Sequence, residues 1–174
     1  MTPRPDIVAH WTAIEEADDS HYDGDTELMS IGAPFGRHFG LTKLGIHHER
    51  LPPGRRTSYP HAESAEEEFV YVIEGAPDVW LDGRLTRLGP GDAVGFPAGT
   101  GITHTFLNNS EEEVRLLVVG ERSKPENRIT YPRNPEQKPR RKDWWDDPPS
   151  RELGDHDGLP DRVRAAREPR NKAP

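Results

Sequence analysis

Between positions 38 and 120 a turn-forming cluster interrupts the chain roughly every 8–12 residues, which leaves room for short strands but not for long helices. Residues 39–51 (FGLTKLGIHHERL) are strand-like and stop at Pro52-Pro53-Gly54. EFVYVIEG (68–75) is β-branched and aromatic and breaks at Gly75. Asp82-Gly83 separates DVWL from RLTRL, and these two residue types accept the positive φ values of a tight hairpin. Gly89-Pro90-Gly91-Asp92 makes another turn, after which AVGF runs into Pro97-Ala98-Gly99. HTFLN ends at Asn108-Asn109-Ser110, and VRLLVVG (114–120) reads as a last buried strand. At least six strands punctuated in this way predict an all-β barrel or sandwich.

The flanks have a different composition. Residues 1–37 read as an irregular segment with an acidic run from Glu15 to Glu27. Residues 121–174 hold nine of the 18 prolines and only ten hydrophobic residues, too few to form a core of their own. Trp144 and Trp145 are large apolar groups that a wholly solvated tail would not need. With Ile129, Tyr131, Leu153 and Leu159 they are spaced like the anchors of an extended strap. The chain therefore divides into an irregular segment (1–37), a barrel (38–121) and a Pro-rich, charged arm (122–174). The arm is expected to lie on the barrel or on a neighbouring subunit. Its end, 161–174, is expected to fray, with one helical turn at most.

Charge excludes several functions. Residues 1–120 carry 9 Lys and Arg against 20 Asp and Glu, whereas 121–174 carry 14 against 11. An acidic body repels phosphates, so no nucleic-acid partner is expected, and PEQKPRRKD is the one short cationic cluster. The absence of cysteine removes disulfides, thiolate zinc sites and cysteine nucleophiles. No apolar run reaches the ~18 residues needed to cross a membrane. The stretch MTPRPDIVAHW lacks an apolar signal core, which makes the cytoplasm the expected compartment.

Four residues could meet to do chemistry. Residues two apart on a strand face the same way, so His61 and Glu63 in PHAES project together. Glu68 opens the next strand and shares parity with Val70 and Val72, while Phe69, Tyr71 and Ile73 take the opposite face. His104 follows on a later strand. Two imidazoles and one or two carboxylates on the inner face of a small barrel would hold a divalent metal. Taken alone, His-x-Glu also fits a surface pair, and Glu66-Glu67-Glu68 a solvated face. His47 and His48 are adjacent, so at most one faces inward, and either reads more simply as a surface or supporting residue. Asn108 reads as a turn residue, and His10 and His156 have no obvious partner.

The order and spacing of these residues resemble the cupin superfamily, small double-stranded β-helical barrels of jelly-roll type. The first cupin motif, G-x5-H-x-H-x3/4-E-x6-G, is met by Gly54, His61, Glu63, Glu68 and Gly75. Six residues rather than five separate Gly54 from His61, and Glu63 stands where the motif has its second histidine. The spacing to Gly75 selects Glu68 over Glu66 and Glu67. The second motif, G-x5-P-x-G-x2-H-x3-N, is met by Gly91, Pro97, Gly99, His104 and Asn108, with two extra residues before His104.

The resemblance implies one divalent metal per chain on His61, Glu63, Glu68 and His104. Mn, Fe and Zn suit such donors, and Ni is a further possibility. If Glu63 turns away, a two-histidine, one-carboxylate triad remains, and Glu63 is then placed as a general base. The implied function is an enzyme acting on a small oxygen-rich metabolite, of dioxygenase, decarboxylase or isomerase type. The alternative is a non-catalytic cupin that binds a sugar or another small metabolite, since fold does not fix function. Arg50 and Arg56, near the first motif, are candidates to receive a substrate carboxylate. Cupin barrels commonly pair, so a homodimer is expected, with Phe69, Tyr71 and Ile73 as its apolar face.

Overall fold

The computed structural model describes residues 5–167. Among the described residues ten strands, two short α-helices and two 3-10 helices follow in chain order. The larger antiparallel sheet contains β1 (Ile31–Ala33), β2 (Leu44–Leu51), β9 (Val114–Glu121), β4 (Glu68–Glu74) and β7 (Ala93–Phe96), side by side in that order. A second sheet runs β6 (Arg84–Arg87), β5 (Asp78–Leu81), β8 (His104–Leu107). Bridges from Arg56 to Leu107 and from His61 to His104 continue it past β8. Beyond them β3 (Ala62–Glu63) pairs with β10 (Ile129–Thr130). Helix α1 is Phe35–His38 and α2 is Asp161–Arg167.

The two sheets close on one apolar core, giving an all-β jelly-roll barrel. Leu51, Val70, Val72, Val114 and Leu116 from the larger sheet meet Val79 and Phe106 from the smaller. Each such burial contributes about 1.5–3 kcal/mol. The alternation along β4 is as its sequence predicts, with Val70 and Val72 buried and Phe69, Tyr71 and Ile73 exposed. The Asp82-Gly83 hairpin has φ of 46° and 85° at its two central residues, the left-handed pair that a type I′ turn requires. Gly75 (φ 84°) ends β4 so close to β9 that a Cβ there would stand 2.8 Å from the Glu113 carbonyl oxygen.

Neither flank is independent of the barrel. Within 1–37, read from sequence as irregular, Ile31–Ala33 pairs with β2 as an edge strand. Its three residues are too few to show a strand period. The arm contributes β10 and lies on its own barrel. Tyr22 and Met29 from the first segment, Tyr59 from the barrel, and Ile129, Tyr131 and Trp144 from the arm form a second apolar cluster. Trp144 anchors this cluster with its side chain, while the Trp145 backbone N–H donates to the Ile129 carbonyl (2.8 Å). Helix α2 occupies 161–167, and the rest of the expected frayed end, 168–174, lies outside the described residues.

The charge division now has a structural reason: cations of the arm pair with acids of the body. Arg151 bonds Asp82 (2.6 Å), Arg162 bonds Glu111, and Arg167 reaches both Asp25 (3.2 Å) and Glu27 (2.9 Å). At the centre of these ties Arg56 is buried. It holds Glu27 with two hydrogen bonds (2.7 and 2.8 Å) and donates to the Gly158 carbonyl (2.9 Å). Removing one partner of a buried pair strands the other charge. Arg56→Leu should therefore lower unfolding free energy by about 3 kcal/mol, the low end for such losses because Arg167 still reaches Glu27. Urea unfolding followed by tryptophan fluorescence measures it, and an unchanged midpoint would contradict the assigned role.

Candidate metal centre

The inner face of the larger sheet changes character along its length. Leu51, Val72, Val114 and Leu116 make one end apolar. Towards the other end the same inward parity carries Glu49 and His47 on β2 and Glu68 on β4. Glu68 pairs across the ladder with Gly120 on one side and Phe96 on the other, and Gly120 pairs in turn with Gly45. Two neighbours without side chains leave space beside the carboxylate. Glu68 faces a cavity of about 250 Å³ that Gly45 and Gly120 also line.

The two histidines are brought together by backbone pairing. His61 N–H donates to the His104 carbonyl (3.1 Å) and His104 N–H to that of His61 (2.9 Å). This reciprocal pair places both rings on one face, with centroids 4.8 Å apart. His61 Nδ1 lies 2.9 Å from the Tyr59 carbonyl oxygen and His104 Nδ1 3.3 Å from that of Ile102. Carbonyl oxygens only accept, so each Nδ1 carries a hydrogen, which leaves Nε2 as the ring atom placed to ligate. Phe96 stacks on the His104 ring at 3.5 Å between centroids and sets its plane.

One ligand atom each from His61, Glu68 and His104 lies within 4.8 Å of the others. His104 Nε2 is buried and makes no hydrogen bond, although Glu68 Oε1 stands 3.3 Å away. Burial, with the neighbouring His104 acting in the same sense, pulls the His61 pKa down to about 4, so its imidazole is neutral at pH 7. For Glu68, burial pushes the pKa up, but His104 and His61 outweigh it and leave the carboxyl below its ordinary value. The neutral His61 imidazole, the Glu68 carboxylate and the unpartnered His104 Nε2 are a donor set that fits a divalent metal ion.

Glu63 is placed beside this group and not in it. It lines a narrow space with Glu68 and His104, and its Oε1 accepts from Asn127 Nδ2 at 3.4 Å. Burial, with Glu66 and Glu68 nearby, raises its pKa to about 7. The convergence is thus the three-ligand arrangement with Glu63 turned aside. Sequence reasoning missed Glu49. Its signal was parity, since it shares a face with the buried Leu51. Burial raises its pKa to about 7, while the Ser30 hydroxyl that donates to it acts in the opposite sense. His47 is the inward one of the adjacent pair, 3.9 Å from Glu49. His48 stacks outside on Trp11 at 4.5 Å.

The two arginines expected to receive a substrate carboxylate do not face the centre. Arg56 is consumed by Glu27 and Gly158, and Arg50 is held by Glu15 (2.5 Å) and Glu113 (2.6 Å). Sequence distance put both near the motif, but existing carboxylates already occupy them. Asn108 is a buried turn residue, with Nδ2 donating to the Leu51 and Glu112 carbonyls at 2.7 and 2.8 Å.

Residues 47–120 match the family model described as Cupin domain. Over these residues the barrel is similar to a cupin domain in sequence as well as in fold. The chain is 33% identical over 94 residues to a protein named Polyketide synthase CurC from Streptomyces cyaneus. That match covers 54% of this chain and 56% of the relative, so the chain spans little more than half of the curated protein it resembles. A crystal structure titled sugar phosphate isomerase from a cupin superfamily, from Silicibacter pomeroyi, superposes with a TM-score of 0.56 at 34% identity, covering 59% of this chain and 64% of that chain. The polyketide cyclase RemF from Streptomyces resistomycificus superposes with a TM-score of 0.58 at 23% identity, covering 83% and 96%. The last likeness is one of fold alone.

Glu49 makes the site pH-sensitive in a defined direction. Its carboxyl titrates near 7 when folded and near 4.5 when unfolded, so the folded state holds the extra proton between those values. The stability contributed by that proton is present below 4.5 and lost as pH rises through 7. In chelator-treated protein, Glu49→Gln should therefore gain on the parent by up to about 3 kcal/mol from acid to neutral pH. Paired urea titrations measure the difference, and a pH-independent difference would contradict the assignment.

Proposed function

We propose that this protein is a divalent-metal-dependent enzyme acting on a small oxygen-rich metabolite, with His61, Glu68 and His104 as the metal ligands and Glu63 as a proton acceptor. The observation that carries the reading is the buried His104 Nε2, without a hydrogen bond and converging with Glu68 and His61. When bound, Mn, Fe, Zn or Ni supplies Lewis acidity to an oxygen of the substrate. The chain's own residues do the rest. The carbonyls of Tyr59 and Ile102 keep both imidazoles in the ligating tautomer. A carboxyl with a pKa near 7, as at Glu63, takes a proton from a substrate hydroxyl or carbon acid and returns it at neutral pH. The likenesses to a sugar phosphate isomerase and a polyketide synthase support a substrate rich in hydroxyl and keto oxygens. The first accords with the isomerase type, and decarboxylase and dioxygenase types are the other reactions such a centre would serve.

The second reading is a cupin that binds a sugar or similar metabolite without turning it over. The replacement of the motif's second histidine by Glu63 favours it. Oxygen uptake and product analysis with diketones, hydroxy-acids and phenols separate the two. For quaternary structure, the proposal is that a second copy covers the outer face of β4, where Phe69, Tyr71 and Ile73 are 39–43% exposed. Light scattering at micromolar concentration should give the mass of a dimer, and a monodisperse monomer would reject this.

Protein purified without chelator should contain close to one divalent metal ion per chain by elemental analysis. His104→Ala and Glu68→Gln should each remove most of it. Glu63→Gln should keep the metal and lose turnover. If neither of the first two variants changes metal content, the centre is not where it is placed here. If Glu63→Gln also empties it, Glu63 is a ligand and not a base.

A further inference from the structure

We propose that the substrate of this centre is an uncharged compound with vicinal hydroxyl or keto oxygens, and that carboxylated and phosphorylated counterparts are rejected. The proposal rests on the reading of His61, Glu68 and His104 as metal ligands. It comes from the charge of the space in front of them. Glu63, Glu66 and Glu68 border both the narrow gap beside His104 and the 250 Å³ cavity, which Glu49 and Glu121 also line. His47 and Glu49 form a wall shared with a second space of about 620 Å³, whose far side carries Glu16 and Asp19. Among the described residues no lysine or arginine lines any of the three.

Several cations near these spaces are held by other partners, and Arg122, which acts on His47 from a distance, lines none of them. Arg37 is paired with Glu16 at 2.7 Å, Lys124 with Glu121 at 2.5 Å, and Arg55 with Asp18. Arg50 and Arg56 are held as described above. A divalent ion offset by the Glu68 carboxylate leaves one formal positive charge. The carboxyls of Glu49, Glu63 and Glu66 border the same space, and no lysine or arginine in its lining answers a second negative charge on a ligand. An anionic substrate therefore meets acceptor oxygens without a countercharge, and each of these carboxyls that is ionised repels it. A hydroxyl-rich neutral compound meets the opposite situation. Its donors find carboxylate oxygens on several sides, and the hydroxyls of Ser30 and Thr57 line the outer space. The acids of this cavity thus act as a charge filter as well as hydrogen-bond acceptors.

Isothermal titration of the metal-bound full-length chain with two matched pairs tests this. One pair is catechol and 3,4-dihydroxybenzoate, and the other is myo-inositol and myo-inositol 1-phosphate. At least one neutral member should bind, with its charged counterpart weaker by about ten-fold or more. In Glu49→Gln, checked for unchanged metal content, the gap should narrow because the anion gains affinity. Selectivity in the catechol pair alone names a phenolic source, and in the inositol pair alone a sugar-like one. The proposal is overturned if the charged counterparts bind as tightly as the neutral compounds. It is equally overturned if neither neutral compound binds up to about 10 mM. Metal analysis of the same sample keeps the two readings apart. A metal-bound protein that prefers the anion rejects the substrate class and leaves the centre standing, whereas a protein that takes up no metal rejects both.

Discussion

The architecture depends on one buried ion pair. Arg56 and Glu27, with side chains only 1% and 5% exposed, join three parts of the chain at one buried point. Glu27 belongs to the first segment, Arg56 to the barrel wall, and the Gly158 carbonyl that Arg56 also reaches belongs to the arm. Burying two charges is costly unless their geometry is good and the remaining hydrogen-bonding capacity is used. Both conditions are met here, since the contact is bidentate and a third donor is satisfied by backbone. The Arg56 guanidinium also lies 4.5 Å from the centre of the Tyr59 ring, and Tyr22 stacks on the same ring at 3.9 Å. The flanks are thereby held close to the mouth of the barrel, where Tyr131 of the arm comes within 5.8 Å of the His61 ring.

A barrel of this size has too little interior for both a full apolar core and a spacious site. The chain divides the interior lengthwise. Leu51, Val72 and Leu116 close one end, and the polar residues of the same strands open the other. The position of the centre follows from that division, because Glu68 is the first residue of β4 and its first inward one. Gly45 and Gly120 matter for the same reason. Each contributes backbone to the ladder and nothing to the interior, so the sheet stays continuous while space remains beside the carboxylate. The electrostatics of the site follow from how these acids are buried. Glu49 and Glu63 are pushed towards neutral pKa values by desolvation, while Glu68, with two imidazoles against it, is kept ionised. The glutamates of one cavity thus divide by their surroundings, Glu49 and Glu63 one way and Glu68 the other.

What was legible in the chain was legible for local reasons. The strands of the middle region came from turn residues whose backbone demands are intrinsic, as at Asp82-Gly83 and Gly75. His61, Glu68 and His104 stood out because a strand's two-residue period and the motif spacing both select them. Glu49 was less visible because nothing in HHERL marks it apart from parity. The edge strand Ile31–Ala33 and the pairing of β3 with β10 were hidden because strands of two or three residues carry no period.

The sequence by itself determined the all-β class, the places where the chain turns, the inward parity of β4, and the residue types available to a metal. Those properties depend on φ preferences and on which side of a strand a residue takes, and both are set within a few neighbours. Only the tertiary structure decided which charges are free. Arg50 and Arg56 look available along the chain and are already engaged by Glu15, Glu113 and Glu27, partners 29 to 63 residues away. The reason is physical: an ion pair is specified by distance and desolvation in three dimensions, and neither can be read from one residue and its immediate neighbours.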